Sequence, residues 1–378
     1  MYYDVVIAGG SIAGLLCARE IANNDFSVLV LEEDYEIGTP EHCGGLISNA
    51  ALEELGIIPS RKIFEHYIKT AKIFSPIGRK FSIESKKQKV AEINRRELDK
   101  HVAYQAKKNG AEIRVKTSFK EIVGNEVNTS DGKIKCKIFV DARGVSSLIS
   151  KDRSGILLSA QYEVYADWIK KENIEVYLDQ KKYPGFFAWI IPSANGIGKV
   201  GVAGKGINAS NVLEEFLKQK GNYSIIRKIF APIWIKGPIE RFVSKNIVTI
   251  GDAAGQSKPT TAGGIYSCGM GGIFAGRSIS KYLKSGNEND LEDYQKFWLK
   301  KFGNEFKKQL LARKILERLD NDSIDKLFDS ITPKILDDIS NHDDFDFHTS
   351  SIIKLLGAKG SFKAVKIIMT GEMKKLLS

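Results

Sequence analysis

No stretch of this sequence approaches the ~18 consecutive apolar residues of a membrane-spanning helix, which argues against an integral membrane protein. Its four cysteines, Cys17, Cys43, Cys136 and Cys268, lie far apart. They show neither zinc nor iron–sulfur spacing and suggest no disulfide framework, so a reducing cytoplasm is the expected compartment. Five histidines with no ligand-like pair among them give no reason to expect a metal site. Tyr2, Tyr3 and Asp4 lead straight into a strand pattern, and no signal peptide is expected.

Positive charge is abundant: the formal net charge is +11 and the pI about 9.2. Nucleic-acid binding has to be considered at that charge. The basic residues are spread along the chain, however, and no recognised nucleic-acid module is present, so nucleic acid is not an expected partner. Attraction to an anionic membrane surface fits the charge equally well. For any single lysine, a solvated surface position is the plainer reading. At 378 residues, 43% hydrophobic and 27% charged, the chain has the size and texture of two or three packed globular units.

The first 33 residues organise the rest. Asp4–Ala8 reads as a buried parallel strand, Gly9-Gly10-Ser11-Ile12-Ala13-Gly14 as a glycine-rich turn, and Leu15 to Asn24 as a helix. A second strand, Val28–Leu31, ends at Glu32 and Glu33. Strand, turn, helix, strand and terminal acid make up a dinucleotide-binding unit. The glycines let backbone approach a pyrophosphate, the helix start stabilises its charge, and Glu32 can accept from a ribose. Ser11 stands where the middle glycine of G-x-G-x-x-G is usual.

Further along, Glu41-His42-Cys43-Gly44-Gly45 pairs glycines with a cysteine in a loop, a setting that admits a flat ligand. Tyr67 to Val90 alternates around Pro76-Ile77-Gly78 and predicts a hairpin. Asn94 to Asp99 opens a helix. The strand Ile134–Val140 delivers Asp141-Ala142-Arg143-Gly144, a loop type suited to phosphate or ribose. Ile156 to Val243 is rich in aromatics and predicts an antiparallel sheet, whose most apolar part is Tyr183 to Pro192. The strand Asn246–Ile250 then leads to Gly251-Asp252-Ala253-Ala254-Gly255, to a loop with Pro259, and to a long helix starting near Gly263, Gly264 and Ile265. The tail from Glu288 is helical in pattern. Ser361 to Leu377 is basic and amphipathic, fit either to pack on the body or to seat on a membrane.

These motifs resemble the flavoprotein group that includes aromatic hydroxylases. The G-G-S-I-A-G turn with Glu32, the D-A-R-G-V-S-S loop, the late G-D-A-A-G, and Arg95 four residues before Asp99 carry the resemblance. Within that group, P-E-H-C-G-G from Pro40 to Gly45 and P-G-F-F-A-W-I-I-P from Pro184 to Pro192 resemble the geranylgeranyl reductases. Gly237-Pro238-Ile239-Glu240-Arg241 is also similar. The resemblance covers about the first 285 residues. Phe187 and Ile191 replace a tyrosine and a phenylalanine of the family pattern, and Arg143 stands where the wider group often has aspartate.

The resemblance implies an α/β fold. A Rossmann-like FAD-binding domain of hydroxylase type would span 1–65, 92–155 and 245–285. An inserted antiparallel-sheet substrate domain would span 66–91 and 156–244, with a helical region over 286–378. It implies FAD as cofactor, held by residues 9–14, Glu32, Glu33, Cys43, Gly44, Gly45, Arg95, Asp141, Ala142, Gly144, Gly251, Asp252, Pro259, Gly263, Gly264 and Ile265. Tyr183, Phe187, Trp189 and Pro192 would contact substrate. Cys43 is the candidate for the flavin face, as proton donor or substrate-positioning group, with His42 and an ordered water as rivals for the proton.

The implied activity is reduction of carbon–carbon double bonds in geranylgeranyl chains, on an archaeal ether lipid or on geranylgeranyl diphosphate. The electron donor would be a ferredoxin-like protein, a deazaflavin or NADPH. Peripheral contact with the inner face of the cell membrane is a further expectation. The rival readings are a flavin monooxygenase, a reductase of a quinone side chain, and a non-catalytic isoprenoid carrier.

Overall fold

A computed structural model describes residues 1–149, 152–342, 344–348, 351, 352 and 355. The amphipathic segment Ser361–Leu377 lies outside them. The chain opens with strand β1 (Tyr2–Ala8), helix α1 (Ile12–Ala22) and strand β2 (Val28–Leu31). Then come β3 (Leu46–Ser48), α2 (Asn49–Glu54), β4 (Phe64–Ile68), β5 (Thr70–Phe74), β6 (Lys80–Glu84) and β7 (Val90–Ile93). Helix α3 (Arg95–Lys108) leads into β8 (Glu112–Arg114), β9 (Phe119–Val123), β10 (Glu126–Thr129) and β11 (Gly132–Asp141). After the short α4 (Ser146–Ile149) follow β12 (Ile156–Tyr165), β13 (Asn173–Tyr177), β14 (Ala188–Ala194), β15 (Ile197–Gly204), α5 (Ala209–Lys220) and β16 (Ser224–Trp234). The last strands, β17 (Val243–Ser244) and β18 (Ile247–Thr249), precede α6 (Ile265–Ser285), α7 (Asn289–Trp298), α8 (Asn304–Leu316), α9 (Asn321–Ser330) and α10 (Pro333–His342).

Among the described residues there are three sheets. The first runs β17-β18-β11-β1-β2-β8, parallel along this path except at β17, with β10 and β9 added antiparallel beside β11. Its middle strands are apolar on both faces, as a parallel sheet covered by helices requires: Val5, Val6 and Ile7 are fully buried. Helix α6 lies against α1 with no room between them. A Cβ at Gly272 would stand 2.2 Å from the Ala13 carbonyl oxygen, so only glycine permits that approach. The second sheet runs β16-β12-β15-β14-β13-β5-β6, and the third, β3-β7-β4, joins the two ends of the segment between them.

The aromatic stretch forms the second sheet largely as expected, with two differences. Strand β13 runs parallel to β5, and α5 interrupts the strands. The segment from Tyr67 to Val90 is likewise not one hairpin. Strands β5 and β6 make the hairpin, whereas β4 and β7 pair with each other. Among the described residues no helix is long and apolar enough to cross a membrane.

Candidate active site

The turn after β1 is shaped by contact with its neighbours. Gly9 has φ +114°, and a Cβ there would lie 2.2 Å from the Ala142 oxygen, so the turn sits directly on the loop after β11. Gly14 faces the Gly9 oxygen, which a Cβ would meet at 2.0 Å. Glu32 reaches back to the turn: the Gly10 N–H donates to its Oε2 at 2.8 Å and the Asp34 N–H to its Oε1 at 3.0 Å. Burial pushes the Glu32 carboxyl pKa up against those two bonds. Glu33 is exposed.

Helix α1 starts at Ser11 without a side-chain cap and without an acid in its first turn. Helix α6 starts at Gly264 in the same way. Helices α2, α3, α5 and α9, by contrast, are capped by Ser48, Asn94, Asn208 and Asp320. The first amides of a helix have no partner within it and carry partial positive charge. Two such ends, left open where the glycine motifs converge, are suited to an anionic group.

Arg95 joins several of the predicted positions. It donates to both oxygens of Asp99 at 3.0 Å, lies beside the Cys43 thiol, and acts electrostatically on Asp252. Burial raises the Asp99 carboxyl pKa, with Arg95 pulling it the other way. Asp252 sits under the start of α6: its Oδ1 accepts from the Cys268 thiol at 3.3 Å and lies 3.4 Å from where a Gly264 Cβ would be. Burial raises its pKa as well. The loop from 258 to 263 closes on itself, Ala262 N–H to Lys258 O at 2.8 Å and Lys258 N–H to Gly263 O at 3.0 Å. Pro259 is buried inside it, and Gly263 is exposed at its end.

Asp141 departs from expectation. Arg143 forks onto both its oxygens at 3.0 and 2.9 Å, and the Ser147 hydroxyl and Arg143 N–H donate to Oδ1 at 2.8 and 3.2 Å. A carboxylate so engaged holds its own loop in shape and has little left for a ribose. Ala142 supplies the carbonyl under Gly9; Gly144 is at a left-handed turn position, φ +68°.

The aromatic wall is only part of the stretch proposed from the sequence. Phe186 and Phe187 stack with centroids 4.1 Å apart, and Trp189 stands edge-on to Phe187 at 6.1 Å. Trp189 lies over Gly201 and donates to Gln161 at 3.1 Å. Ala262, from the loop before α6, packs on this cluster. Ile191 reaches Gly44, with its Cδ1 2.5 Å from where a Cβ would stand, so β14 also backs the Cys43 loop. Pro192 is buried in the same strand. Tyr183 is not part of the wall. It is buried against Phe216 in the core under α5, where an aromatic fills space between sheet and helix.

Two features here had no sequence expectation. Arg313 of α8 donates to Pro259 O at 3.1 Å and to Gly185 O at 2.6 Å, tying the loop before α6 to the aromatic loop. Lys199 of β15 lies between Glu41, at 2.6 Å, and Glu92 of β7, at 3.1 Å. Both Lys199 and Glu92 are buried. A lysine within Gly198–Val202 and a glutamate within Val90–Ile93 are charges inside apolar strand runs, the signal that could have found them. His42 is exposed, while Cys43 is half-buried and donates no bond among those described; its sulfur accepts from the Gly45 N–H at 3.4 Å.

No family model matches the chain. It is 30% identical over 364 residues to digeranylgeranylglycerophospholipid reductase 2 of Methanothermobacter thermautotrophicus, covering 90% of this chain and 94% of that protein. It is 31% identical over 362 residues to digeranylgeranylglycerophospholipid reductase of Methanocaldococcus jannaschii, covering 87% and 90%. Among solved structures it superposes on a geranylgeranyl bacteriochlorophyll reductase-like protein of Thermoplasma acidophilum with a TM-score of 0.85, at 22% identity, over 98% of this chain and 99% of that one. The described residues thus share the fold of that protein. With the sequence likeness sustained over nearly the whole of the two named reductases, the chain belongs to the digeranylgeranylglycerophospholipid reductase family.

Proposed function

We infer that this protein is an FAD-dependent reductase that saturates carbon–carbon double bonds of geranylgeranyl chains, with an archaeal ether lipid as substrate. One observation carries the reading: the open start of α6 and an apolar aromatic wall meet at a single loop, where Ala262 packs on the buried cluster that contains Phe186 and that Phe187 and Trp189 also flank. A charged cofactor and an isoprenoid chain need those opposite surroundings side by side.

The residues present fit FAD. The uncapped start of α1 and the turn at Gly9–Gly14 suit a pyrophosphate, and Glu32 suits a ribose once its backbone bonds rearrange. Asp252 and the α6 amides at Gly264 and Ile265 suit the far end of an extended cofactor. Bound and reduced, FAD supplies the electron pair that saturation consumes. The protein's own contribution is positional. The stacked Phe186 and Phe187 and the edge-on Trp189 hold an apolar chain and exclude water. In this reading Cys43, beside the Arg95 guanidinium, gives the proton to the second alkene carbon.

The test is direct. The purified protein should be yellow. Reduced without oxygen and mixed with a digeranylgeranyl glycerophospholipid, it should reoxidise and add hydrogen pairs to the lipid, read by mass spectrometry. Unchanged lipid mass across several geranylgeranyl substrates would sink the reading.

A further inference from the structure

Beneath the Cys43–Gly45 loop lies a sealed chain of ionisable groups to which no cofactor or substrate contact has been given. Lys199 Nζ donates to Glu41 Oε1 at 2.6 Å and to Glu92 Oε1 at 3.1 Å. The Ser193 hydroxyl adds a bond to Glu92 Oε1 at 3.3 Å. Glu92 is 1% exposed, and its second oxygen, Oε2, is buried with no partner among the described residues. One ammonium balances one carboxylate. A second carboxyl group sealed beside the pair is least costly when it carries a proton.

The surroundings set that proton's affinity. Strand β4 presents Glu65 and His66, β14 presents Ser193, β15 presents Lys199, and the loop presents Glu41 and Cys43. Burial pushes the Glu92 carboxyl up to about 7, against the pull of Lys199. Burial also works against the Lys199 ammonium, but Glu92 and Glu41 hold its pKa above the ordinary value. Gly45 lies against the cluster, and Cys43 is near enough to Lys199 to act on it electrostatically. A Cβ at Gly45 would stand 3.2 Å from both Glu92 Oε1 and Lys199 Nζ, and the Gly45 N–H itself donates to the Cys43 sulfur.

Resting on the reductase reading above, we propose that Glu92 stores, and Lys199 passes toward Cys43, the proton that each saturated double bond consumes. Saturation takes one electron pair and two hydrogens; the reduced flavin is the source of the pair and of one hydrogen. The other comes from the Cys43 thiol, whose S–H bond breaks as the C–H bond forms. The Lys199 ammonium returns a proton to the thiolate. The Glu92 carboxyl O–H then restores the ammonium, and a proton taken from water at the half-buried Glu41 end of the cluster reloads the Glu92 carboxylate through Lys199. Glu92 and Lys199 act through Cys43, and neither touches the alkene.

The relay differs from a structural ion cluster in when it is needed. Glu92→Gln keeps shape but holds no transferable proton. Lys199→Arg keeps the charge, but its guanidinium does not give up a proton at working pH. The full flavin-loaded chain of each variant is kept reduced by excess dithionite without oxygen and supplied with digeranylgeranyl glycerophospholipid in detergent micelles. In both, flavin content and the first turnover should match wild type, and later turnovers should be slower by about tenfold or more. In wild type, later turnovers should slow as pH rises through about 7, and Glu92→Gln should lose that inflection. A readout free of turnover is the infrared carbonyl stretch of a protonated carboxyl group. It should titrate near 7 in wild type and vanish in Glu92→Gln. Wild-type later turnovers in both variants, a slowed first turnover, or a carboxyl band that survives Glu92→Gln would overturn the proposal. If Glu92→Gln does not fold, Lys199→Arg decides through the turnover pattern. A wild-type protein that binds flavin but leaves the lipid unreduced would overturn the reductase reading instead, and the infrared titration would still judge Glu92.

Discussion

Two neighbouring loops of this molecule carry almost the same four residues and use them differently. Asp141-Ala142-Arg143-Gly144 closes β11, and Asp252-Ala253-Ala254-Gly255 follows β18, the strand paired with it. The difference is one position, arginine against alanine. Arg143 folds back and, with Ser147, engages both oxygens of Asp141. Asp252 has no such neighbour. A thiol at 3.3 Å and Ser257 are its partners, and it rests below the uncapped start of α6. A carboxylate at a strand end is a ligand only if its own loop leaves it one.

The comparison can be broken in three ways. The largest effect should follow Asp252→Ala. A hydrogen bond to a charged group is worth about 1.5–3 kcal/mol, so flavin affinity should fall by about tenfold or more. Visible absorbance per mole of purified protein measures it, and full retention of flavin would remove Asp252 from the site. Asp141→Asn should act on stability instead, costing about 1–3 kcal/mol in denaturant unfolding as the fork with Arg143 is lost. Its flavin affinity should change by less than about threefold; a loss as large as that of Asp252→Ala would make the two aspartates equivalent. Arg143→Ala removes the same fork from its exposed side and should cost a similar amount, about 1–3 kcal/mol of stability, with no loss of flavin. A tenfold loss there would identify Arg143 itself as a ligand.

The legible parts of the sequence were those whose physics is local. A doubly buried strand needs a continuous apolar run, and Val5–Ala8 and Val28–Leu31 have one, so the start of the parallel sheet could be read directly. The small residues of α6, Gly269 and Gly272 among them, permit a close neighbour, but that this neighbour is α1 is seen only in the fold. Saturation of Asp141 was not read, although Arg143 was noticed, because a side chain folding back two residues is a matter of rotamer rather than pattern. Tyr183 was assigned to the substrate wall because it shares a ten-residue stretch with Trp189. It faces α5, an element the aromatic texture concealed. Lys199, Glu92 and Arg313 were missed for a third reason. Each does its work on partners 54 to 158 positions away, and only the folded chain brings them together.

Arg313 has a mechanical consequence. Its guanidinium holds the carbonyls of Pro259 and Gly185 at once, with Glu317 as counter-ion. The two loops are therefore laced to one post on α8. Whatever displaces the aromatic loop to thread a long chain past Phe186 has either to drag residue 259 along or to unlace the guanidinium.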